Sequence, residues 1–92
     1  MALSDEEIIN IASQIATANN INFTDIKTIP TTDSTGAPAI EIKFVLIPGS
    51  SEKIAGLPSA RTVSQVMQSL ANAGEERFPI VRYEYRSVSP SV

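Results

Sequence analysis

The segment from Ala39 to Ile47 constrains the fold most, because its residues alternate with the two-residue period of a β-strand. One side of this strand carries four large apolar residues, which are Ile40, Ile42, Phe44 and Leu46. The other side is first charged and then apolar, with Glu41, Lys43, Val45 and Ile47. A continuous apolar side has to be buried against other elements of the chain. We therefore predict a sheet with one face fully covered.

Two helices are predicted to supply that cover. Ser4 and Glu7 have the S-x-x-E spacing of a capping box. After them an apolar stripe recurs every three or four residues, through Ile8, Ile11, Ala12, Ile15 and Ala16. Asn19 and Asn20 are expected to end this helix. A second helix is predicted from a Ser59 cap to about Ala73, with Gly74 as its stop and with an apolar stripe of Val63, Val66, Met67 and Leu70.

The remaining chain predicts two more strands. The first covers residues 21–29 and is expected to be closed by Pro30, with a turn through Asp33 and Gly36 joining it to the central strand. The last begins at Phe78 and reaches about Arg86. The order α-β-β-α-β predicts an α+β domain over residues 1–86, a three-stranded sheet with two helices packed on one face, followed by a flexible tail at 87–92. Whether the last strand lies beside the first or the second is left open.

Composition removes several classes of activity. The 92 residues include no histidine and no cysteine, so a disulfide, a thiolate nucleophile, an imidazole base and the common zinc sites are excluded. The carboxylates show no calcium-loop spacing. Asp33 is interpreted as a turn opener and Glu41 as the partner of a lysine such as Lys27. We therefore predict a protein that is not an enzyme, with no catalytic residue, no cofactor and no metal.

The formal net charge of −3 argues against a surface built for nucleic acid or for an anionic membrane. The N-terminus is acidic where a signal peptide would be basic, and no apolar run reaches the length of a membrane span. These features predict a cytoplasmic protein with no membrane association.

Two resemblances accompany this interpretation. The junction from Gly74 to Pro79, which reads Gly-Glu-Glu-Arg-Phe-Pro, resembles a helix-to-strand junction in small uncharacterised bacterial proteins of similar layout. The order α-β-β-α-β is also similar to the type II KH-like fold of ribosome-binding factor A, and it implies RNA or ribosome association as an alternative function. The Gly-x-x-Gly loop of KH domains is missing here, and the ribosome factor's Ala-x-Gly kink has only Asn72-Ala73-Gly74 as its nearest match. This resemblance is therefore one of topology.

A basic and aromatic group near the C-terminus is the candidate contact for an anion or RNA. Its arginines are Arg77, Arg82 and Arg86, with Tyr83 and Tyr85 between them. Strand periodicity places the arginines of the strand and the tyrosines on opposite faces, which favours a structural interpretation. The connection through Glu75, Glu76 and Arg77 is expected to be solvated.

The apolar end of the central strand is the candidate interface. Val45 and Ile47, with Ile29 from the first strand, lie on the side away from the predicted helices. Two alternatives remain open for what covers them: a second protein surface, or the chain's own loop from Pro48 to Pro58 folded back through Ile54 and Leu57. We predict a non-enzymatic binding module that acts through protein–protein contact, as a homodimer or with another protein partner.

Overall fold

The computed structural model describes residues 3–46 and 57–85, and the side chains among them except those of residues 57–59 and 85. Its elements are, in chain order, α1 (Asp5–Ala18), β1 (Phe23–Thr32), β2 (Pro38–Leu46), α2 (Leu57–Asn72) and β3 (Phe78–Tyr85). The predicted α+β class and the predicted order of elements are confirmed. Ile47, Arg86, residues 48–56 and the tail at 87–92 lie outside the described residues.

Helix α1 begins and ends as its sequence predicts. The Glu7 backbone N–H donates to Ser4 Oγ at 3.2 Å, and the Ser4 N–H donates to Glu7 Oε1 at 3.2 Å, which completes the capping box. At the other end Asn20 adopts a φ of 61°. The chain can then turn so that the Ile21 N–H reaches the Ala16 carbonyl at 2.9 Å, an arrangement that closes the last turn of the helix.

Helix α2 starts earlier than predicted. It begins at Leu57 rather than after a cap at Ser59, and so includes Pro58 in its first turn. A proline is tolerated there because the first helical N–H groups have no partner within the helix. Gly74 ends the helix with a φ of 96°, and the Glu75 N–H donates to the Leu70 carbonyl at 2.9 Å.

The sheet has the order β1-β2-β3, with β1 antiparallel and β3 parallel to the central β2. This settles the strand order that the sequence left open. The prediction that Pro30 closes the first strand was wrong, because β1 continues to Thr32 and Pro30 pairs with Ile40. An edge strand tolerates a proline, since the missing N–H does not have to belong to a ladder.

Both helices pack on one face of the sheet, as predicted. The core combines residues of α1, the strands and α2: Ile8, Ala12, Ala16, Ile21, Ile26, Ile40, Ile42, Phe44, Leu46, Val66 and Leu70. Phe44 lies at its centre and meets an aromatic ring on each neighbouring strand. Its ring centroid is 6.1 Å from that of Phe23 and 5.6 Å from that of Tyr83. The centre of the covered face therefore carries an aromatic residue on each of the three strands.

Candidate functional site

The opposite face of the sheet, called the outer face below, is covered by neither of the two helices. Directly paired residues on neighbouring strands point to the same face, so the register defines rows across the outer face. The acidic row is Asp25, Val45 and Glu84. The basic row is Lys27, Lys43 and Arg82. The mixed row is Ile29, Glu41 and Ile80.

The basic row places three positive charges side by side, one from each strand. Like charges directly opposite each other on a sheet are destabilising, so this row needs neighbouring carboxylates. Arg82 forms an ion pair with Glu41 in the mixed row. The predicted pairing of Glu41 with Lys27 was therefore wrong, because β3 brings a guanidinium within reach. Consecutive rows are about 7 Å apart along the strands, so the acidic row flanks the basic row on its other side.

The residues of the predicted interface are divided between rows. Val45 belongs to the acidic row and is only 8% exposed, whereas Ile29 belongs to the mixed row and is 39% exposed. The basic row lies between them, so Val45 and Ile29 do not form one continuous apolar patch. Ile47 lies outside the described residues. What the outer face offers is a pattern of charges with apolar residues between them.

Arg77 lies away from the outer face and is engaged within the chain. Its Nε and Nη2 donate to the Glu75 carboxylate at 3.0 and 2.9 Å, and Nη2 also donates to the Leu3 carbonyl at 3.2 Å. The backbone N–H groups of Leu3 and Arg77 donate to the same carboxylate at 3.0 and 2.9 Å. Through these hydrogen bonds, the Glu75–Arg77 cluster links Leu3 to the connection between α2 and β3.

The expectation that this connection is solvated was wrong for Glu75, whose side chain is fully buried. The hydrogen bond from Arg77 is the main reason that the Glu75 pKa falls from 4.5 to about 2, although burial acts in the opposite direction. The same bond raises the pKa of Arg77. Hydrophobic periodicity could not reveal this pair, because it depends on the capping turn at Gly74 directing residue 75 towards Leu3.

Of the predicted arginine group, Arg77 and Arg82 are not brought together. Arg82 lies on the outer face, about 13 Å along the strand from Phe78, which follows Arg77. Arg86 lies outside the described residues. Tyr83 faces the helices and stacks on Phe44, and burial raises its pKa. The prediction that strand arginines and tyrosines occupy opposite faces is confirmed for Arg82 and Tyr83.

A cleft of about 640 Å³ opens at the hairpin end of the sheet. Its apolar lining comes from the turn, from α2 and from the start of β3, with Ala37, Pro38, Met67, Ala71, Phe78 and Pro79. Its carboxylates already have structural partners. The Asp33 carboxylate accepts hydrogen bonds from the Thr35 hydroxyl and from the backbone N–H groups of Thr35 and Ala37. These bonds, chiefly that of the Thr35 hydroxyl, lower the pKa of Asp33. The prediction of Asp33 as a turn opener is confirmed, and the carboxylates of Asp33 and Glu75 are both engaged within the chain.

The basic row is not visible in the pattern of any single strand, because each strand contributes one of its three residues. Lys27 and Lys43 look like ordinary surface residues until the register pairs them. A signal for that register was present, since the turn at Asp33 to Gly36 fixes which residues of β1 and β2 are opposite. The addition of Arg82 required the strand order, which the sequence left open.

No protein-family model and no curated protein matches this sequence. Within residues 3–46 and 57–85, no three side chains of the His, Cys, Asp or Glu type come together as a possible metal site. Neither described helix is long and apolar enough to cross a membrane.

Proposed function

We propose that the chain is a cytoplasmic, non-enzymatic binding module that acts through protein–protein contact on its outer face and self-associates. The observation that carries the proposal is the mixed composition of the outer face, which neither of the two described helices covers. The acidic, basic and mixed rows together hold three cations and three carboxylates, so these side chains carry no net charge as a set. Exposed Ile29 lies among them. Protein interfaces combine apolar residues with matched charges in this way.

The oligomeric state tests the proposal directly. In sedimentation velocity from about 10 µM to about 1 mM, the mass of the wild type should rise from 9.9 kDa towards twice that value. Ile29→Lys should weaken the association, because it places a charge where an apolar side chain lay. The new lysine pairs with Glu41 opposite, so the monomer should stay folded.

Gln14→Lys is the matched control, since it adds the same charge at an exposed position of α1, on the other side of the sheet. It should leave the association unchanged. A wild type that remains monomeric at about 1 mM would refute self-association. Equal weakening by both lysine variants would show that overall charge, and not the outer face, governs the contact.

RNA or ribosome association through a KH-like surface is the alternative, and the basic row is the observation that favours it. Lys27, Lys43 and Arg82 form a short positive band that could meet phosphates. Carboxylates flank this band on both sides, and Arg77 is already paired with Glu75. Filter binding to bulk RNA at two salt concentrations tests the alternative. Steep salt-dependent binding that Lys43→Gln abolishes would support it over the protein interface.

A further inference from the structure

The pattern of rows on the outer face is complementary to itself. We infer that the outer face binds a second copy of this chain about a two-fold axis that runs parallel to the rows, above Phe44 of β2. Asp25 of one subunit then faces Lys27 of the partner subunit, and Glu84 faces Arg82 of the partner subunit. The inference rests on the proposed function and specifies the partner and the register of that contact.

The geometry follows from what a two-fold axis does to a sheet. A dimer interface of this symmetry brings the same surface of both subunits together. A rotation about an axis parallel to the rows keeps each strand over its own copy and reverses its direction. The residue pair 25 and 27 of β1 exchanges places across the axis, as does the pair 82 and 84 of β3. The acidic row of each subunit therefore lies over the basic row of the other.

The central strand fits the same arrangement. Val45 of one subunit lies opposite Lys43 of the partner subunit, and the methylene stem of a lysine can cover an apolar side chain while its ammonium group stays in water. Val45 is only 8% exposed, so it requires little additional cover. Each subunit thus places a negative charge at each edge of its acidic row and a small apolar residue at the centre.

Other face-to-face two-fold placements match the charges less well. An axis parallel to the strands places the basic row over the basic row of the partner subunit, so that positive charges face each other and repel. An axis shifted one row, above Ile42, pairs Lys43 with Glu41 of the partner subunit but leaves Lys27 over an isoleucine. Only the axis above Phe44 gives an opposite charge to all four charged residues at the ends of the acidic and basic rows.

The small contact area of the outer face limits the affinity of such a dimer. About the axis above Phe44, five residues of β2, five of β3 and about seven of β1 lie over their own copies. With strands about 4.8 Å apart, this overlap presents about 270 Å² of sheet per subunit. Stable complexes bury about 800 Å² per partner, so the dimer is expected to be weak and dependent on concentration. Charge matching, which salt screens, should therefore decide its register.

The test uses two single variants, each of which should dimerise poorly with itself but well with the other. Lys27→Glu and Asp25→Lys each change an exposed residue of the edge strand β1. Alone, each should raise the dissociation constant at least about tenfold at low salt, because two attractive contacts per dimer become repulsive. A mixture of the two variants should form a heterodimer of wild-type affinity. In that heterodimer the lysine introduced at position 25 faces the glutamate introduced at position 27, and the unchanged Lys27 faces the unchanged Asp25. Thermal melts of each variant verify folding.

Arg82→Glu and Glu84→Arg repeat the experiment on β3, and a chain with both changes should dimerise with itself. If wild type dimerises and Ile29→Lys weakens it, but the mixtures do not recover affinity, the register is refuted while the outer face remains the interface. Single variants that dimerise like wild type also refute the register. If wild type is monomeric at about 1 mM, the dimer itself is refuted, and with it the self-association proposed above.

Discussion

Replacing Glu75 tests the role of the only fully buried carboxylate among the described side chains. Its two oxygens accept four hydrogen bonds, two from the Arg77 guanidinium and two from the backbone N–H groups of Leu3 and Arg77. Glu75→Gln keeps the size of the side chain but removes its charge, and its amide group offers a donor where these neighbours are donors too. We expect the variant to lose both the ion pair and part of the attachment of Leu3.

The magnitude follows from the pKa. A fall from 4.5 to about 2 corresponds to about 3 kcal/mol of stability at neutral pH. Arg77 remains 18% exposed, and solvent screening of its charge reduces this to about 2 kcal/mol. With a urea slope of about 1 kcal/mol per molar for a chain of this size, Glu75→Gln should lower the unfolding midpoint at pH 7 by about 2 M.

The effect should depend on pH with a defined sign. The folded-state pKa of Glu75 is depressed, so its contribution is fully present above about pH 4.5 and is lost as the pH falls towards about 2. The difference between wild type and Glu75→Gln should therefore shrink by more than half at pH 3. Glu76→Gln, a change in the adjacent and exposed carboxylate, is the control and should stay within about 0.5 kcal/mol of wild type. Superimposable urea curves for wild type and Glu75→Gln at pH 7 would refute the reasoning.

Three further changes test the helix ends and the outer face. Ser4→Ala should cost about 1 kcal/mol in urea unfolding, because the Glu7 N–H loses its acceptor, and an unchanged midpoint would contradict the observed cap. Gly74→Ala should cost about 1 kcal/mol through its φ of 96° rather than through crowding, since no atom lies within 4 Å of an added Cβ. Val45→Asp should lower the melting temperature by several degrees, because it places a third carboxylate at a site 8% exposed, between Asp25 and Glu84. Val45→Thr controls for shape, and light scattering coupled to size exclusion follows the mass. A folded Val45→Asp protein of unchanged melting temperature would mean that the site is open to water.

Local sequence signals determined much of the fold. The capping box at Ser4, the left-handed Asn20 and Gly74, the Asp33 turn and the alternation of β2 each depend on residues within a few positions of one another. Such interactions depend on local backbone conformation and on periodicity, so they can be predicted without knowing where the rest of the chain lies. Two element boundaries differed from the prediction. Strand β1 continues past Pro30, because an edge strand tolerates proline, and helix α2 begins at Leu57, because its first turn tolerates Pro58.

Only the tertiary structure decided the chemistry of the surfaces. The order β1-β2-β3 brings Arg82 beside Lys43 and Lys27, residues that lie as much as 55 positions apart in the chain. The burial of Glu75 likewise depends on Leu3, which is 72 positions away. Periodicity assigns a residue to a face of its own strand, but it carries no information about which strand lies alongside or how far the two are offset. Because charges interact through space, the basic row and the Glu75–Arg77 cluster exist only once the strands have been paired.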